Sequence, residues 1–438
     1  MRLNYASYRS KKTFCLMLSL LTILNGYALF FAGTFSIGMM IAAGYAVAGV
    51  TKWLTNSKKK RIFYSPIWLL IFFIVLTLIS MLFISQIKYI DMFYDIAKIT
   101  VWAMMISFAG YFYFDYKIFA RFMIRIAVLA TIYLIVQVIA VTFLEISIPN
   151  ALNFGIIRPT YSGYSFNVNH LASQIRLSSF WMEPAQYGNY VVATLAVLLF
   201  DRNTKIPKRK LIIGLLVLGI FLSTSSGAIY MMLIFFILYF LKSKNRFKTI
   251  SISFLILSLC LVFLFSDFST LDRLSGMGTF GYSLYRSLTK IELWRDSARI
   301  GASFDVISSL SEYGIHKYIG LGVGNEIRIL NSLNRDFTYL NSFAKTVTWT
   351  GYFGVGAYLL FFLSVIRRNK GNVIGGVLAL FCLMGGFYSG LWYSPDSIVF
   401  YIIAIYVTRQ YSEAPPKVEN STNSPATFEK QKLKGIYK

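Results

Sequence analysis

Arginines in two stretches between long apolar runs are the first candidates for chemistry. Arg176 lies in the first stretch, and Arg295 and Arg299 lie about one helical turn apart in the second. A guanidinium stays charged and binds two phosphate oxygens at once, which suits a lipid pyrophosphate. As the structural alternative, Arg295 and Arg299 would form i,i+3 ion pairs with Glu292 and Asp296. For Arg176 the alternative is an interfacial side chain that reaches the headgroup region.

Arg295 and Arg299 belong to an amphipathic stretch. Apolar residues that share one face at about 100° per residue are Leu284, Leu288, Ile291, Trp294 and Ala298. Arg295 and Arg299 fall on or beside that face, while Arg286 and Lys290 lie opposite. The stretch therefore predicts a helix, either at the membrane interface or with its two arginines facing a cavity in the protein.

Glu183 is the candidate for acid–base chemistry. It precedes Pro184, and proline is favoured at the first position of a helix. A carboxylate there either caps the helix and favours its positive end, or it orients and deprotonates a hydroxyl group. Both readings stay open. The preceding Phe180 and Trp181 fit the aromatic belt at a membrane surface.

A glycine-rich run, Gly320-Leu-Gly-Val-Gly324-Asn325, resembles loops that cradle phosphate. No strand–turn–helix unit surrounds it, which argues against a nucleotide-binding fold. The alternative is a sharp turn that returns a loop to the membrane.

Further charged residues stand near the ends of apolar runs. Lys345, and Asp95 together with Lys98, are either functional charges within the membrane or side chains that reach its surface. The two histidines, His170 and His316, lie in different loops without ligand spacing, and the three cysteines lie inside apolar runs. The sequence therefore predicts no metal site and no disulfide framework.

The composition excludes a soluble protein. Of 438 residues, 56% are hydrophobic and 14% are charged, whereas a soluble domain carries about 25% charge. The net charge of +25 would suit a nucleic-acid-binding protein, but the basic residues cluster in short links between apolar runs. That distribution follows the positive-inside rule for membrane proteins, and nucleic acid is not an expected partner.

A membrane-spanning helix needs about 20 apolar residues. The predicted spans are 13–31, 33–51, 62–84, 93–113, 126–145, 185–200, 210–223, 225–241, 249–266, 342–366, 371–388 and 396–409. The run 210–241 is too long for one span, and the polar segment 223–227 is predicted to divide it. The sequence thus predicts an all-α, polytopic membrane protein with about 12 transmembrane helices.

Charge sets the predicted orientation. With both termini in the cytoplasm, the inner links and the tail together carry the whole net charge, so the outer loops and spans sum to zero. Two extracytoplasmic loops are long, at about 146–184 and 267–341, and the larger holds the amphipathic helix. A membrane domain is predicted over 1–410, followed by a disordered cytoplasmic tail over 411–438.

Four segments give the chain a family resemblance. They are 176–184, 223–227, 299–324 and 341–354. In their order among the spans and loops they resemble the O-antigen polymerase and ligase superfamily, especially the Wzy-type polysaccharide polymerases. The stretch Phe180-Trp-Met-Glu183-Pro184 looks more like the polymerases than the ligases.

The resemblance implies a metal-independent glycosyltransferase without a cofactor, acting on the outer face of a bacterial plasma (inner) membrane. Its donor would be a growing glycan on undecaprenyl pyrophosphate, and its acceptor one lipid-linked repeat unit. The product would be an O-antigen of lipopolysaccharide, a capsule or an exopolysaccharide. Besides these glycans and membrane lipids, a flippase and a chain-length regulator are the implied partners.

The resemblance also implies residue roles. The paired loop arginines of the family correspond to Arg176 and Arg299, which would hold the pyrophosphate and stabilise it as the leaving group. Glu183 is the candidate that acts on the acceptor hydroxyl. The predicted substrate-binding residues are Arg176, Arg295, Arg299, Arg158, Asn341 and Lys345.

Two alternatives remain at this point. An O-antigen ligase of the same superfamily has a histidine–asparagine pair before the helix that corresponds to the tenth span, but Leu340 stands where that histidine would fall, followed by Asn341. A lipid-linked oligosaccharide flippase or other transporter also has about twelve spans. Transporters commonly show internal repeats and sites at the membrane midplane, whereas here the polar residues gather in two long outer loops.

Overall fold

The computed structural model describes residues 2–29, 35–56, 62–83, 89–144, 146, 148–149, 157–159, 177–201, 204–242, 301–312, 314–325, 340–369 and 372–412. This part of the chain is predominantly helical. The helices of its first half are α1 (Arg2–Leu24), α2 (Ile37–Thr55), α3 (Ser65–Met81), α4 (Tyr89–Met104), α5 (Gly110–Tyr113), α6 (Tyr116–Phe143) and α7 (Pro184–Phe200). The others are α8 (Arg209–Leu222), α9 (Ser226–Leu241), α10 (Gly301–Glu312), α11 (His316–Ile319), α12 (Ser342–Arg368), α13 (Val373–Tyr388) and α14 (Ser397–Ser412).

Four of the described helices are long and apolar enough to cross a membrane: Ile37–Thr55, Tyr89–Tyr113, Tyr116–Val141 and Ser342–Arg368. The second of these joins α4 to α5 through a π-helical turn, Met105–Ala109. Further described helices are apolar but shorter, among them α3, α9 and α13. The described structure is therefore that of a helical membrane protein.

Most of the described helices coincide with predicted spans, whereas α10 and α11 lie in the predicted outer loop 267–341. A helix covers most of every predicted span except 249–266, which lies outside the described residues, as does the amphipathic stretch 284–298. The run 210–241 forms two helices, α8 and α9, as predicted. They are separated at Thr224, which has a positive φ of 51°. Residues 413–438 of the predicted tail also lie outside the described part, and α14 continues to Ser412.

The first predicted span ends earlier than expected. Helix α1 stops at Leu24, and the chain turns at Asn25-Gly26 into strand β1 (Tyr27–Leu29). This strand pairs antiparallel with β2 (Ile157–Pro159). The two short strands were not predicted, because three residues are too few to show an alternating pattern in the sequence.

Helices α7 and α14 lie at the centre of the molecule. Every residue from Ser397 to Val407 in α14 is buried, and so are the residues of α7 from Tyr187 to Leu199. A helix that is apolar on all sides is expected inside a bundle rather than at its surface. The residues just before these two helices are therefore held by packing on all sides, and they lie at the end of the bundle called the site end below.

Candidate functional site

The segment before α7 is fixed by polar contacts to α6. The Ser179 hydroxyl donates to the Ala130 carbonyl at 2.6 Å, and its backbone N–H donates to the Gln137 side chain at 3.1 Å. Within the segment, the Ser178 hydroxyl donates to the Trp181 carbonyl at 2.6 Å. These bonds use buried polar groups, so they restrict where the following residues can lie.

Trp181 is part of the core rather than of an aromatic belt. Its side chain is 1% exposed, and its indole N–H donates to the Thr22 hydroxyl of α1 at 3.1 Å. Phe180 stacks on Tyr133 of α6 with ring centroids 4.6 Å apart. The belt interpretation of Trp181 was therefore wrong. Tryptophan is typical both of an aromatic belt and of a packed core, so the residue type alone does not distinguish the two positions.

Glu183 occupies the N-cap position of α7, with extended backbone and Pro184 at the start of the helix. Its carbonyl accepts hydrogen bonds from the N–H groups of Gln186 and Tyr187, at 3.1 and 3.3 Å. Its side chain makes no capping hydrogen bond to the helix. The geometry thus does not use the carboxylate as a cap, and the catalytic role of Glu183 stays a prediction.

Asp396 is a partly buried acid near the start of α14 that the sequence analysis missed. It stands in the turn before α14, where its carboxylate accepts a hydrogen bond from the Asn25 side-chain N–H at 2.7 Å. Asn25 in turn accepts from the Ser36 hydroxyl at 3.1 Å. Asp396 is the sole charged residue of the sequence 389–396. An isolated acid just before an apolar run was the signal that could have identified it.

The pKa of the Asp396 carboxyl is raised to about 6, chiefly by burial; the Asn25 hydrogen bond lowers it, and the negative charge of Glu183 adds a smaller increase. The charge of Glu183, from a distant part of the sequence, thus contributes to the field at Asp396, and these two residues are called the carboxyl pair below.

The strand pair brings Arg158 to the same end of the bundle. The Arg158 backbone pairs with Ala28 of β1. Ala28 follows Asn25 by a few residues in the chain. Nothing is described for its side chain, and the other predicted arginines, Arg176, Arg295 and Arg299, lie outside the described residues. Their proposed contacts with a pyrophosphate stay predictions.

Lys345 belongs to a second charged cluster. Its ammonium lies 3.6 Å from the Asp95 carboxylate of α4, and the Lys98 ammonium lies 3.1 Å from the other oxygen of that carboxylate. The Lys345 ammonium lies 4.4 Å from the centroid of the Trp349 ring. The Lys98 ammonium lies 3.7 Å from the centroid of the Tyr94 ring. These three charged residues, the ion-pair cluster below, connect α4 to α12 by attraction between opposite charges and by cation–π contacts.

Asn341 is the N-cap of α12. Its side-chain oxygen accepts from the Ala344 N–H at 2.8 Å, and its side-chain N–H donates to the Phe387 carbonyl of α13 at 2.7 Å. The residue is 4% exposed. Asn341 thus starts α12 and ties it to α13, and its predicted contact with substrate stays a prediction.

The glycine-rich run packs against a break in α12. Gly351 has a φ of +60° inside that helix, and the N–H groups of Leu321 and Gly322 donate to the carbonyls of Thr348 and Trp349 at 2.7 and 2.9 Å. The Val323 N–H donates to the Thr77 hydroxyl of α3 at 3.2 Å. The run therefore pairs its amides with protein groups and does not present these amides to a phosphate. This arrangement is the turn into the membrane domain that was the alternative reading.

His316 also serves the glycine-rich run, since its Nδ1 lies 2.8 Å from the Gly320 carbonyl oxygen. Among the described residues, no three His, Cys, Asp or Glu side chains are grouped so that they could hold a metal ion. No protein-family model and no curated protein matches the chain. The residues of the site end are therefore the basis of the functional proposal.

Proposed function

We propose that the chain is a polysaccharide polymerase that joins lipid-linked repeat units by glycosyl transfer. The observation that carries the proposal is the placement of Glu183. Glu183 stands at the start of the central helix α7, where its side chain is half-buried, and its charge contributes to the raised pKa of Asp396. A half-buried carboxylate at this place can orient or deprotonate an acceptor hydroxyl, and groups with a raised pKa, such as Asp396, are enriched at functional sites.

In the proposed reaction, a hydroxyl oxygen of the acceptor sugar attacks the anomeric carbon of the donor glycan. The hydroxyl proton passes to the Glu183 carboxylate. The bond from the anomeric carbon to the lipid pyrophosphate breaks, and its electron pair leaves with the pyrophosphate. Arg176 and Arg299 would stabilise the charge that develops on this leaving group.

The proposal includes an orientation in the membrane. The chain would cross the plasma membrane of a bacterium about twelve times, with both termini in the cytoplasm and the site end facing outward. Support comes from the charge of +25, which the inner links and the tail carry. A reporter that is active only outside the cell should work when fused near Ser165 or Gly314, and should fail near Lys208 or after Gln410. Activity at both of the last two positions would reverse the orientation.

Deletion of the gene tests the reaction. A polymerase defect should leave a surface glycan with one repeat unit and no long chains. A ligase defect would instead leave long chains on the lipid carrier, and a flippase defect would trap single lipid-linked units on the inner leaflet. Either of these two outcomes would replace the proposal.

Complementation then tests the arginines. Arg176→Ala and Arg299→Ala should each abolish the long chains at unchanged protein level, and lysine should rescue poorly because a point charge does not reproduce the planar guanidinium. Arg209→Lys is the matched control, because Arg209 donates to the Thr204 carbonyl away from the site end. Full chains from both alanine variants would show that these arginines have a structural role.

A further inference from the structure

Asn25, in the turn between α1 and β1, joins two helix starts at the site end. Its side-chain N–H donates to the Asp396 carboxylate, just before α14, at 2.7 Å, and its side-chain oxygen accepts from the Ser36 hydroxyl at 3.1 Å. Ser36 is the N-cap of α2 and accepts from the Met39 N–H at 3.0 Å. A Cβ on Gly38 would lie 2.7 Å from Asn25 Cγ, so the Asn25 amide lies against the first turn of α2. Its orientation is therefore fixed by contacts on two sides.

The hydrogen-bonding capacity of these side chains is only partly used. Asn25, Ser36 and Asp396 are each half-buried. Among the described residues, no hydrogen bond occupies the second carboxylate oxygen of Asp396 or the second side-chain N–H of Asn25. The first is an acceptor and the second is a donor. A sugar hydroxyl both donates and accepts, so a neighbouring acceptor and donor held in this way suit a sugar with several hydroxyl groups.

The same turn lies beside the segment that carries Glu183. A side chain on Gly26 would meet Met182 Cγ at 2.8 Å, so the turn backbone packs against the residue before Glu183. The Trp181 indole N–H donates to the Thr22 hydroxyl at 3.1 Å and holds this segment against α1. A ligand bonded to Asn25 would therefore lie next to the segment in which the proposed reaction takes place.

Charge decides which part of a lipid-linked glycan fits here. Asp396 and Glu183 are both acidic, so a phosphate group near them would meet charge of its own sign. A sugar hydroxyl is uncharged, and it forms a strong hydrogen bond when it donates to a carboxylate. The pyrophosphate of the substrate would instead lie at the predicted arginines, Arg176 and Arg299. The turn therefore suits the sugar end of a substrate and disfavours its phosphate end.

We propose that Asp396 and Asn25 form a subsite that binds hydroxyl groups of the acceptor sugar. The inference rests on the proposed function, in which Glu183 acts on an acceptor hydroxyl. In the subsite, Asp396 accepts a hydrogen bond from one hydroxyl, and Asn25 donates a hydrogen bond to a hydroxyl oxygen. No covalent bond changes there, and Asp396 takes up no proton in the transfer. The two residues therefore set the affinity for the acceptor rather than the rate of the chemical step.

A binding measurement tests the subsite without any reaction. The purified full-length chain is titrated by calorimetry with the oligosaccharide that mild acid releases from the lipids of the gene-deletion strain, because that strain should accumulate lipid-linked repeat units. Asp396→Asn keeps the shape but removes the charge, and should weaken binding about 10-fold or more. Asn25→Ala should weaken it about 2- to 10-fold. No binding to the wild type, or wild-type affinity in both variants, would overturn the inference.

Matched controls separate binding from folding. Asn56→Ala changes another half-buried asparagine, at the opposite end of α2, and Glu312→Gln changes an acid that is exposed at the end of α10. Both should bind the oligosaccharide like the wild type. If Asp396→Asn does not accumulate, Asn25→Ala carries the test alone. A merely structural role would lower the melting temperature of these variants and leave the affinity of the folded protein unchanged.

The affinity should also depend on pH through Asp396. Because its pKa is raised to about 6, its charge is present above that pH and is lost as the pH falls through it. Among the described residues, Glu183 is the titratable group whose charge acts on Asp396, while the α1–β1 turn and the start of α2 contribute the uncharged Asn25 and Ser36. Wild-type binding should weaken from pH 7.5 to pH 5 and approach that of Asp396→Asn. The same pH dependence in Asp396→Asn would assign it to another group and contradict the inference.

Kinetics separate this inference from the proposed function. In membranes supplied with the lipid extract of the gene-deletion strain, Asp396→Asn should raise the KM for lipid-linked units about 10-fold at nearly unchanged kcat, because only binding is lost. If units are joined and the KM of Asp396→Asn is unchanged, the inference fails while the proposed function stands. If the oligosaccharide binds in an Asp396-dependent way but no units are joined, the proposed function fails while the sugar subsite stands.

Discussion

The site end of the molecule holds two groups of ionisable side chains that differ in sign. In the ion-pair cluster, Lys98 and Lys345 approach the Asp95 carboxylate at 3.1 and 3.6 Å. In the carboxyl pair, Glu183 and Asp396 carry the same charge, and the pKa of Asp396 is raised chiefly by burial and to a smaller extent by the charge of Glu183. Opposite charges stabilise the fold that brings them together, whereas like charges oppose it.

The difference separates a structural from a functional use of charge. A fold keeps like charges near each other only where packed elements hold them, and Glu183 and Asp396 directly precede the buried helices α7 and α14. Such an arrangement gives up stability, and groups with strongly shifted pKa values are enriched at functional sites for this reason. The ion-pair cluster joins α4 to α12, while the contact of Lys345 with substrate and the catalytic role of Glu183 both stay predictions.

The largest effect should come from Glu183→Gln. Removal of a general base lowers a rate by about 100- to 10,000-fold, whereas loss of a helix cap would cost only about 0.5–2 kcal/mol of stability. The measurement is chain extension per amount of membrane protein, with Asp91→Asn as the control because Asp91 is exposed on α4. Wild-type chain length in Glu183→Gln would show that the Glu183 carboxylate takes no part in the reaction.

The glycine-rich run braces the half of α12 that carries Lys345, and its glycines test that role. In Gly320→Ala, the new Cβ would meet the Trp349 carbonyl oxygen at 2.3 Å. Gly314 also has a positive φ, of 57°, but has nothing within 4 Å. We expect Gly314→Ala to cost about 1–2 kcal/mol from the left-handed backbone alone, and Gly320→Ala to cost clearly more. Equal melting temperatures in detergent would contradict this packing.

Asp95→Asn tests the ion-pair cluster itself. It leaves two partly buried ammonium groups near each other and should cost about 1–3 kcal/mol. Adding Lys345→Gln should cost less than the sum of the single changes, because the pair is coupled. Thermal unfolding in detergent measures both, and activity per folded protein should stay near the wild-type value. A large loss of activity without loss of stability would assign this cluster to the chemistry as well.

The smallest effect belongs to Trp181→Phe. It removes the hydrogen bond to Thr22, at 3.1 Å, and should cost about 0.5–1.5 kcal/mol. A residue in an aromatic belt would tolerate this change without loss. The melting temperature distinguishes the two, with Trp68→Phe as the control, because Trp68 is 68% exposed on α3.

The helices could be predicted from the sequence because each depends on a local property. A run of apolar residues long enough for a helix is visible without knowledge of its neighbours, and so is the polar break at Ser223-Thr224-Ser225 between α8 and α9. Pro184 likewise marked the start of α7 correctly. The early end of α1 at Leu24 could not be predicted, since the pairing of β1 with β2 requires a strand from a distant loop.

The site depended on contacts between distant parts of the chain. The sequence indicated Glu183 by its place before a proline, but it did not indicate Asp396 or the bond at 2.7 Å by which Asn25 holds it. It marked Lys345 as a charge near the membrane without revealing its pairing with Asp95. It also marked the glycine-rich run as a candidate phosphate loop, whereas its N–H groups bond to the broken helix α12.

The sequence by itself thus determined that this is a helical membrane protein and where most of its long apolar helices lie, because burial in lipid acts on each apolar run separately. The tertiary structure alone decided which charges meet. Electrostatic interaction depends on distance and burial, and a side chain carries neither quantity until the helices pack. The same carboxylate chemistry therefore became a structural tie at Asp95 and a like-charged pair at Asp396.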